Sequence, residues 1–279
     1  MLAISNCKIN IGLTITGKRA DGFHNIETVF YPVEWCDIIE VTERSLLEKD
    51  YFSYTDGLSI KMTGLEIEGA ESNNLCVRAF QLLRKDFNLP DVVMHLHKLI
   101  PMGAGLGGGS SNAAHTLRLL DRLFKLNLTT AQLKNYAAQL GSDCSFFIEN
   151  KPSFAHGKGE LIEKINLDLS GKHIIIIKPD IHVSTAVAYQ NSVPSVSKDL
   201  KSLVLQPIEN WKSNIVNDFE EGVFQIYPEI KLLKQLLYDK GCSYASMSGS
   251  GSAVYGISNE KLILKNMDEE LSIWQGILN

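Results

Sequence analysis

Along the chain, short stretches in which apolar and polar residues alternate give way to longer ones in which apolar residues return every three or four positions, so strands and helices of an α+β fold are predicted. Ile9–Thr16 alternates and is expected to be a strand, and the Lys-Arg-Ala-Asp-Gly of 18–22 behind it has the composition of a turn. Asp37–Thr42 shows the strand period again. Leu75, Ala79, Leu82 and Leu83 recur at helical spacing behind Asn73 and Asn74, either of which can cap a helix by accepting from the open N–H groups of its first turn. Val92, Met94 and Leu96 alternate with Val93, His95 and His97, the period of a half-buried strand that leads straight into Pro101.

Past position 111 the helical period returns at Ala113, Ala114, Leu117, Leu120 and Phe124, which places a helix N-terminus at Ser110-Ser111. Thr129 and Gln132 have the spacing of a capping box, Leu133, Tyr136 and Leu140 make the apolar stripe behind them, and Gly141 stands where that helix should end. Asp143 therefore falls in the turn just beyond a helix. Asn150-Lys151-Pro152 is a turn-rich tripeptide and the best place for a seam between residues 1–150 and 151–279. In the second part Ile174–Ile177 is a short buried strand, Pro228 and Gly241 bracket a helix over Ile230–Lys240, and Ser248-Gly-Ser-Gly-Ser252 is a second glycine-serine turn.

Composition narrows the functional classes. With 279 residues, 44% of them hydrophobic, the chain has room for two packed domains or one large one. A net charge of −5 without a run of like charge lacks the footprint of a nucleic-acid binder. Five scattered cysteines fit neither a disulfide framework nor a zinc site and point to a reducing cytoplasm. The apolar runs are too short for a signal peptide or for the roughly 20 residues of a membrane span, so neither membrane nor nucleic acid is expected as a partner. His95 and His97 share a strand face without a third ligand at useful spacing and are expected to be a solvated face.

The chemistry concentrates in Pro101-Met-Gly-Ala-Gly-Leu-Gly-Gly-Gly-Ser-Ser111, with five glycines in seven positions. Without side chains, consecutive backbone N–H groups can close around phosphate oxygens, and the helix that follows adds its positive end. Two better-known phosphate motifs are excluded. Gly103, Gly105 and Gly108 match a dinucleotide fingerprint, but helical periodicity continues where its second strand and acidic residue should stand. Gly109 occupies the position of the Walker lysine.

The same residues, with Asn112-Ala-Ala114 behind them, closely resemble the phosphate loop of the GHMP kinases. Lys8-Ile-Asn-Ile-Gly-Leu13 with Gly17-Lys-Arg-Ala-Asp-Gly-Phe-His24 is similar to the N-terminal signature of the branch of that family whose acceptor is a cytidine-diphosphate-linked polyol. The likeness continues through Gly141-Ser-Asp143, Asn217-Asp218 and Ser248–Ala253. It implies a two-domain α+β kinase with its active site in the cleft between the domains, using ATP and Mg²⁺, as a monomer or homodimer. It implies that Asp143 accepts the proton of the substrate hydroxyl and that Lys8 lies beside it. It also implies nucleotide contacts from Asn74, Lys98 and the loop residues Pro101, Met102, Gly103, Ala104, Gly105, Leu106, Gly107, Gly108, Gly109, Ser110 and Ser111. Asn10, Phe23, His24 and Tyr189 are implied on the substrate side, Tyr189 by stacking on the base. The magnesium ligands stay open among Ser110, Ser111 and Asp143. Two departures stand out: Phe23 where tyrosine is common, and serines at 248–252 where threonine or alanine often appears. A GHMP kinase acting on another small alcohol, or an inactive nucleotide-binding regulator, are the alternative readings.

Overall fold

The computed structural model describes residues 1–46, 56–67, 69–192, 194, 199–264 and 267–279. The chain divides into two compact units, one of residues 1–7, 36–100 and 107–150 and the other of residues 8–35, 101–106 and 151–279. The turn at 150–152 is thus one of five crossings, the others following residues 7, 35, 100 and 106. A linear pattern suggests one seam because two strands, β1 (Leu2–Lys18) and β2 (His24–Glu43), are long enough to contribute to both units.

In the first unit β3 (Leu58–Gly64) pairs in parallel with β4 (Val92–Lys98), and α1 (Leu75–Phe87) supplies the crossover that parallel neighbours require. The end of β2 pairs antiparallel with β4, Ile38 opposite His97 and Glu43 opposite Val92. Burial alternates along β4, putting Val92, Met94, Leu96 and, unusually, Lys98 inward. On the other face Thr63 Oγ1 lies 2.8 Å from His95 Nε2 and 2.9 Å from His97 Nδ1, so these histidines are tied across the β3–β4 pair rather than simply solvated. Helices α2 (Gly108–Leu123), α3 (Thr130–Leu140) and α4 (Cys144–Glu149) complete the unit, with Phe80, Leu83, Leu117, Leu120, Phe146 and Phe147 buried.

Local signals set these helices. Asn74 Oδ1 accepts from the Cys76 N–H at 2.9 Å and caps α1. Thr129 and Gln132 form the reciprocal capping box of α3, which ends at an extended Gly141. Helix α2 begins two residues before the expected Ser110, because Gly107 takes the left-handed conformation at the cap and frees Gly108 and Gly109 to be helical.

The second unit carries β5 (Ser153–His156), β6 (Leu161–Lys164), β7 (His173–Lys178), α5 (Thr185–Gln190), α6 (Leu200–Leu203), α7 (Trp211–Asn214), α8 (Phe219–Ile226), α9 (Pro228–Asp239), β8 (Tyr244–Met247), β9 (Val254–Ser258) and β10 (Ser272–Ile277). Its antiparallel sheet has the order β10-β7-β9-β8, and the four consecutive isoleucines of β7 are buried because both faces of this inner strand are covered. Ile175, Ile177, Val223, Ile230, Leu237, Met247 and Val254 form its core together with Leu13 and Ile15 of β1. Trp35 stacks on Trp274 with ring centroids 6.1 Å apart, and Trp211 meets Tyr244 edge-on at 5.4 Å. Among the described residues no helix is long and apolar enough to cross a membrane.

Candidate functional site

The glycine-rich loop has an alternating backbone. Gly103, Gly105 and Gly107 lie at φ of 61°, 74° and 69°, each separated by one residue of negative φ, Ala104 or Leu106, whose side chain is buried. Successive left- and right-handed residues turn peptide N–H groups toward one side, the geometry of an anion-binding nest. The helix that follows leaves its first N–H groups without acceptors in the helix and adds its dipole.

The glycines have different reasons. A Cβ on Gly105 would sit 1.9 Å from the Ser248 carbonyl oxygen, and one on Gly103 2.8 Å from His182 Nδ1. One on Gly108 would lie 2.9 Å from Lys98 Nζ and 3.0 Å from Ile100 Cγ2. On Gly109 the nearest atom would be 3.9 Å away, so nothing in the protein demands a glycine there.

In the first unit the loop's stems meet a buried polar group. The Asp37 carboxylate is fully buried and pairs with the Lys98 ammonium, itself 2% exposed. Its Oδ1 accepts from the N–H groups of Leu99 (2.7 Å) and Ile100 (2.8 Å), and its Oδ2 from Asn112 Nδ2 (2.9 Å). Asn112 also donates to Ser5 Oγ at 3.0 Å, and the Ser5 and Ser111 hydroxyls are 2.9 Å apart. Burial lowers the pKa of Lys98, opposed by the charge of Asp37. Lys98 thus lies beneath the first turn of α2, engaged with a carboxylate. Asn74 donates to Met62 Sδ while capping α1. Asp143 is half-buried at the head of α4, where Ser142 Oγ donates to its Oδ1 at 3.3 Å. Beside it the Cys144 thiol is pushed up to about 12 by burial.

Lys8, Asn10 and the glycine-serine turn come together in the second unit. The buried Lys8 ammonium donates to the Gly105 carbonyl at 2.8 Å and to Asn10 Oδ1, and lies 5.1 Å from the Phe30 ring centroid. Asn10 Nδ2 donates to Thr28 Oγ1 at 3.0 Å. The Ser248 hydroxyl donates to the Gly105 carbonyl at 2.9 Å while accepting from the Asn10 N–H at 3.2 Å. Asn217 Nδ2 holds that turn through the carbonyls of Met247 and Gly249, both at 2.8 Å. Gly105 is therefore gripped by Lys8 and Ser248 together.

An aromatic cluster stands in the same unit. His24 stacks on Tyr189 with centroids 4.5 Å apart and planes 12° apart, and Tyr189 meets Phe219 edge-on at 4.8 Å. Phe23 is 58% exposed, with Lys158 Nζ 4.8 Å from its ring centroid. The exposed Arg19–Asp21 pair and the Phe23 N–H bonded to Asp21 order the turn that carries Phe23; the Asp21 pKa is lowered chiefly by Arg19. Sequence reasoning missed Asp37, Ser5, Asn112, Thr28 and Lys158. Asn112 left a trace as the residue directly behind the loop, and Asp37 as the acidic residue that opens the predicted strand Asp37–Thr42.

Comparison with known proteins places these features in a family. The GHMP kinases N terminal domain matches residues 74–151, and the GHMP kinases C terminal domain matches residues 200–272. The 4-diphosphocytidyl-2-C-methyl-D-erythritol kinase of Azobacteroides pseudotrichonymphae is 47% identical over 92% of this chain and 93% of its own. The enzyme of that name from Bacteroides thetaiotaomicron is 47% identical over 96% of each. A crystal structure of 4-(cytidine 5'-diphospho)-2C-methyl-D-erythritol kinase superposes with a TM-score of 0.77 at 27% identity, covering 92% of this chain and 90% of that one. With near full-length identity of this size and both GHMP kinase domains matched, the chain belongs to the 4-diphosphocytidyl-2-C-methyl-D-erythritol kinase family of the GHMP kinases.

Proposed function

We propose that the protein transfers the γ-phosphate of ATP to the 2-hydroxyl of 4-diphosphocytidyl-2-C-methyl-D-erythritol, in the non-mevalonate route to isoprenoids. The observation that carries this reading is the 47% identity over 96% of the chain to an enzyme of that name. Five cysteines without a disulfide support a reducing cytoplasm as its place of work. The family profiles, matching residues 74–151 and 200–272, support a change of family domain near residue 150, with the ATP-binding domain before it and the C-terminal domain after it, although the compact units exchange segments of chain.

Each side chain then has a task. Loop residues Pro101–Ser111 and the first turn of α2 receive the triphosphate, whose charge suits the nest and the helix dipole. Asn74 and Lys98 stand on the nucleotide side. Asp143, half-buried at the head of α4, is the acceptor for the hydroxyl proton. Lys8 supplies positive charge for the alkoxide that develops. Its bond to the Gly105 carbonyl couples that charge to the loop. Asn10, fixed by Thr28 and Lys8, orients the polyol. His24 and Tyr189 already form a stacked pair, a surface suited to a pyrimidine face, and the exposed Phe23 ring adds to it.

Magnesium fits two of its three candidate ligands. The Ser111 hydroxyl is fully buried and engaged with Ser5, whereas Ser110 and Asp143 are half-buried residues bearing oxygens of the kind Mg²⁺ prefers. When bound, the ion would neutralise charge on the phosphates.

The test is ADP release by purified protein with Mg-ATP and either the cytidyl substrate or mevalonate. Release with the cytidyl compound alone is expected; release with mevalonate alone would overturn the acceptor, and release with neither would favour the inactive regulator. Asp143→Asn is expected to keep nucleotide affinity while turnover falls roughly 10²-fold or more, and unchanged turnover would remove the residue from its role.

A further inference from the structure

The loop that receives the nucleotide is rich in glycine, and such a segment is costly to order unless its ends are held. Its first-unit stems, residues 98–100 on one side and 111–112 on the other, converge on one buried carboxylate. Asp37 Oδ1 takes the backbone N–H groups of Leu99 and Ile100, the two residues before Pro101. Its Oδ2 takes Asn112 Nδ2, one residue after Ser111, together with the Lys98 ammonium. Four donors on one carboxylate leave it satisfied, and Ser5 extends the bridge to Ser111.

We propose that Asp37 is a positioning residue for the nucleotide loop, a staple joining the strand that enters it to the helix that leaves it, and that Lys98 acts through Asp37 rather than on the phosphates. The inference rests on the reading of Pro101–Ser111 as the nucleotide site. Lys98 is nearly without exposure, lies under Gly108 and already has a carboxylate partner. A lysine serving the phosphates directly would need its ammonium turned toward the ligand.

Asparagine at position 37 tests the staple, because an amide has one accepting edge. Its oxygen can keep Leu99 and Ile100, but its NH₂ then faces the Lys98 ammonium and the Asn112 NH₂, donors against donors. Asp37→Asn is expected to weaken MgADP binding about tenfold or more, measured by calorimetry, while KM for the cytidyl acceptor stays within twofold. The swap Asp37→Asn with Asn112→Asp restores one acceptor between the positions, and a carboxylate at 112 can also accept from the Ser5 hydroxyl. It is expected to recover most of the MgADP affinity.

Affinity for MgADP unmoved in folded Asp37→Asn, acceptor KM rising in step with it, or a swap that recovers nothing would each overturn the proposal and leave the pair as a fold-stabilising one. Should Asp37→Asn fail to fold, Asn112→Ala, which removes one donor of four, decides. A rise in the MgADP dissociation constant of about threefold or more at constant acceptor KM supports the staple, and an unchanged constant refutes it. Failure of the wild-type protein to bind MgADP at all would instead sink the functional reading beneath it.

Discussion

Gly105 and Gly109 stand four positions apart in one run of glycines, yet they answer to different constraints. Gly105 has a positive φ and a carbonyl where its Cβ would be, so the fold itself requires it. Gly109 is helical and meets nothing nearer than 3.9 Å, which leaves the ligand as the reason for its bareness. Gly109→Ala is therefore expected to leave the protein folded and slightly more stable, by up to about 1 kcal/mol, while weakening MgADP binding. Chemical denaturation and calorimetry on the same variant check both halves, and a variant that binds as well as wild type would contradict the assignment. His115 gives a second residue-scale expectation. Its Nδ1–H donates to the Ser111 carbonyl at 2.9 Å, and burial holds its pKa below the ordinary 6.5. Below pH 6.5 the unfolded chain binds a proton that the folded state resists, so stability should fall as pH drops through that range and level off beneath the folded pKa. His115→Gln, which can still donate to Ser111, should flatten this part of the stability–pH curve relative to wild type.

At the scale of elements, what was legible in the sequence follows from how local the cause is. The α1 cap at Asn74, the capping box of α3 and the Pro228 start of α9 each depend on neighbours within a few residues, and all three are present. Thr129→Ala should cost about 1 kcal/mol in urea denaturation without changing KM for ATP, since the box is exposed and its bonds run only between Thr129 and Gln132. The long strands were harder to see. Ile9–Thr16 of β1 alternates in sequence and was recognisable, but Leu2–Lys8 ahead of it mixes apolar and polar residues without that period, although Ser5–Ile15 is buried residue after residue. Asp37 shows the same limit for the site. Its bond partners Lys98 and Asn112 lie 61 and 75 positions away, and no spacing rule connects them. The loop was legible because its chemistry is contiguous; its staple was not, because it is assembled only by folding.

For the whole molecule, ligand binding and stability are linked. Any compound that binds the native state alone raises stability by about 2.7 kcal/mol at a hundredfold excess over its dissociation constant. MgADP is thus expected to raise the melting temperature by several degrees, and a melt insensitive to it at such excess would count against the nucleotide site. Five crossings, instead of one at residue 150, mean that neither unit is a contiguous piece of chain, so cutting the gene after codon 150 divides the second unit instead of isolating it.

The tryptophans carry a spectroscopic consequence. Trp35, Trp211 and Trp274 are all three of those in the chain, and all belong to the second unit. Intrinsic emission excited near the red edge of the indole band therefore watches that unit alone, with the Trp35–Trp274 stack as its main reporter. Among the described residues the longest helix, α2, belongs to the first unit, and far-ultraviolet dichroism sees the helices of both units, so a loss of dichroism ahead of any change in emission would report loosening that begins in the first.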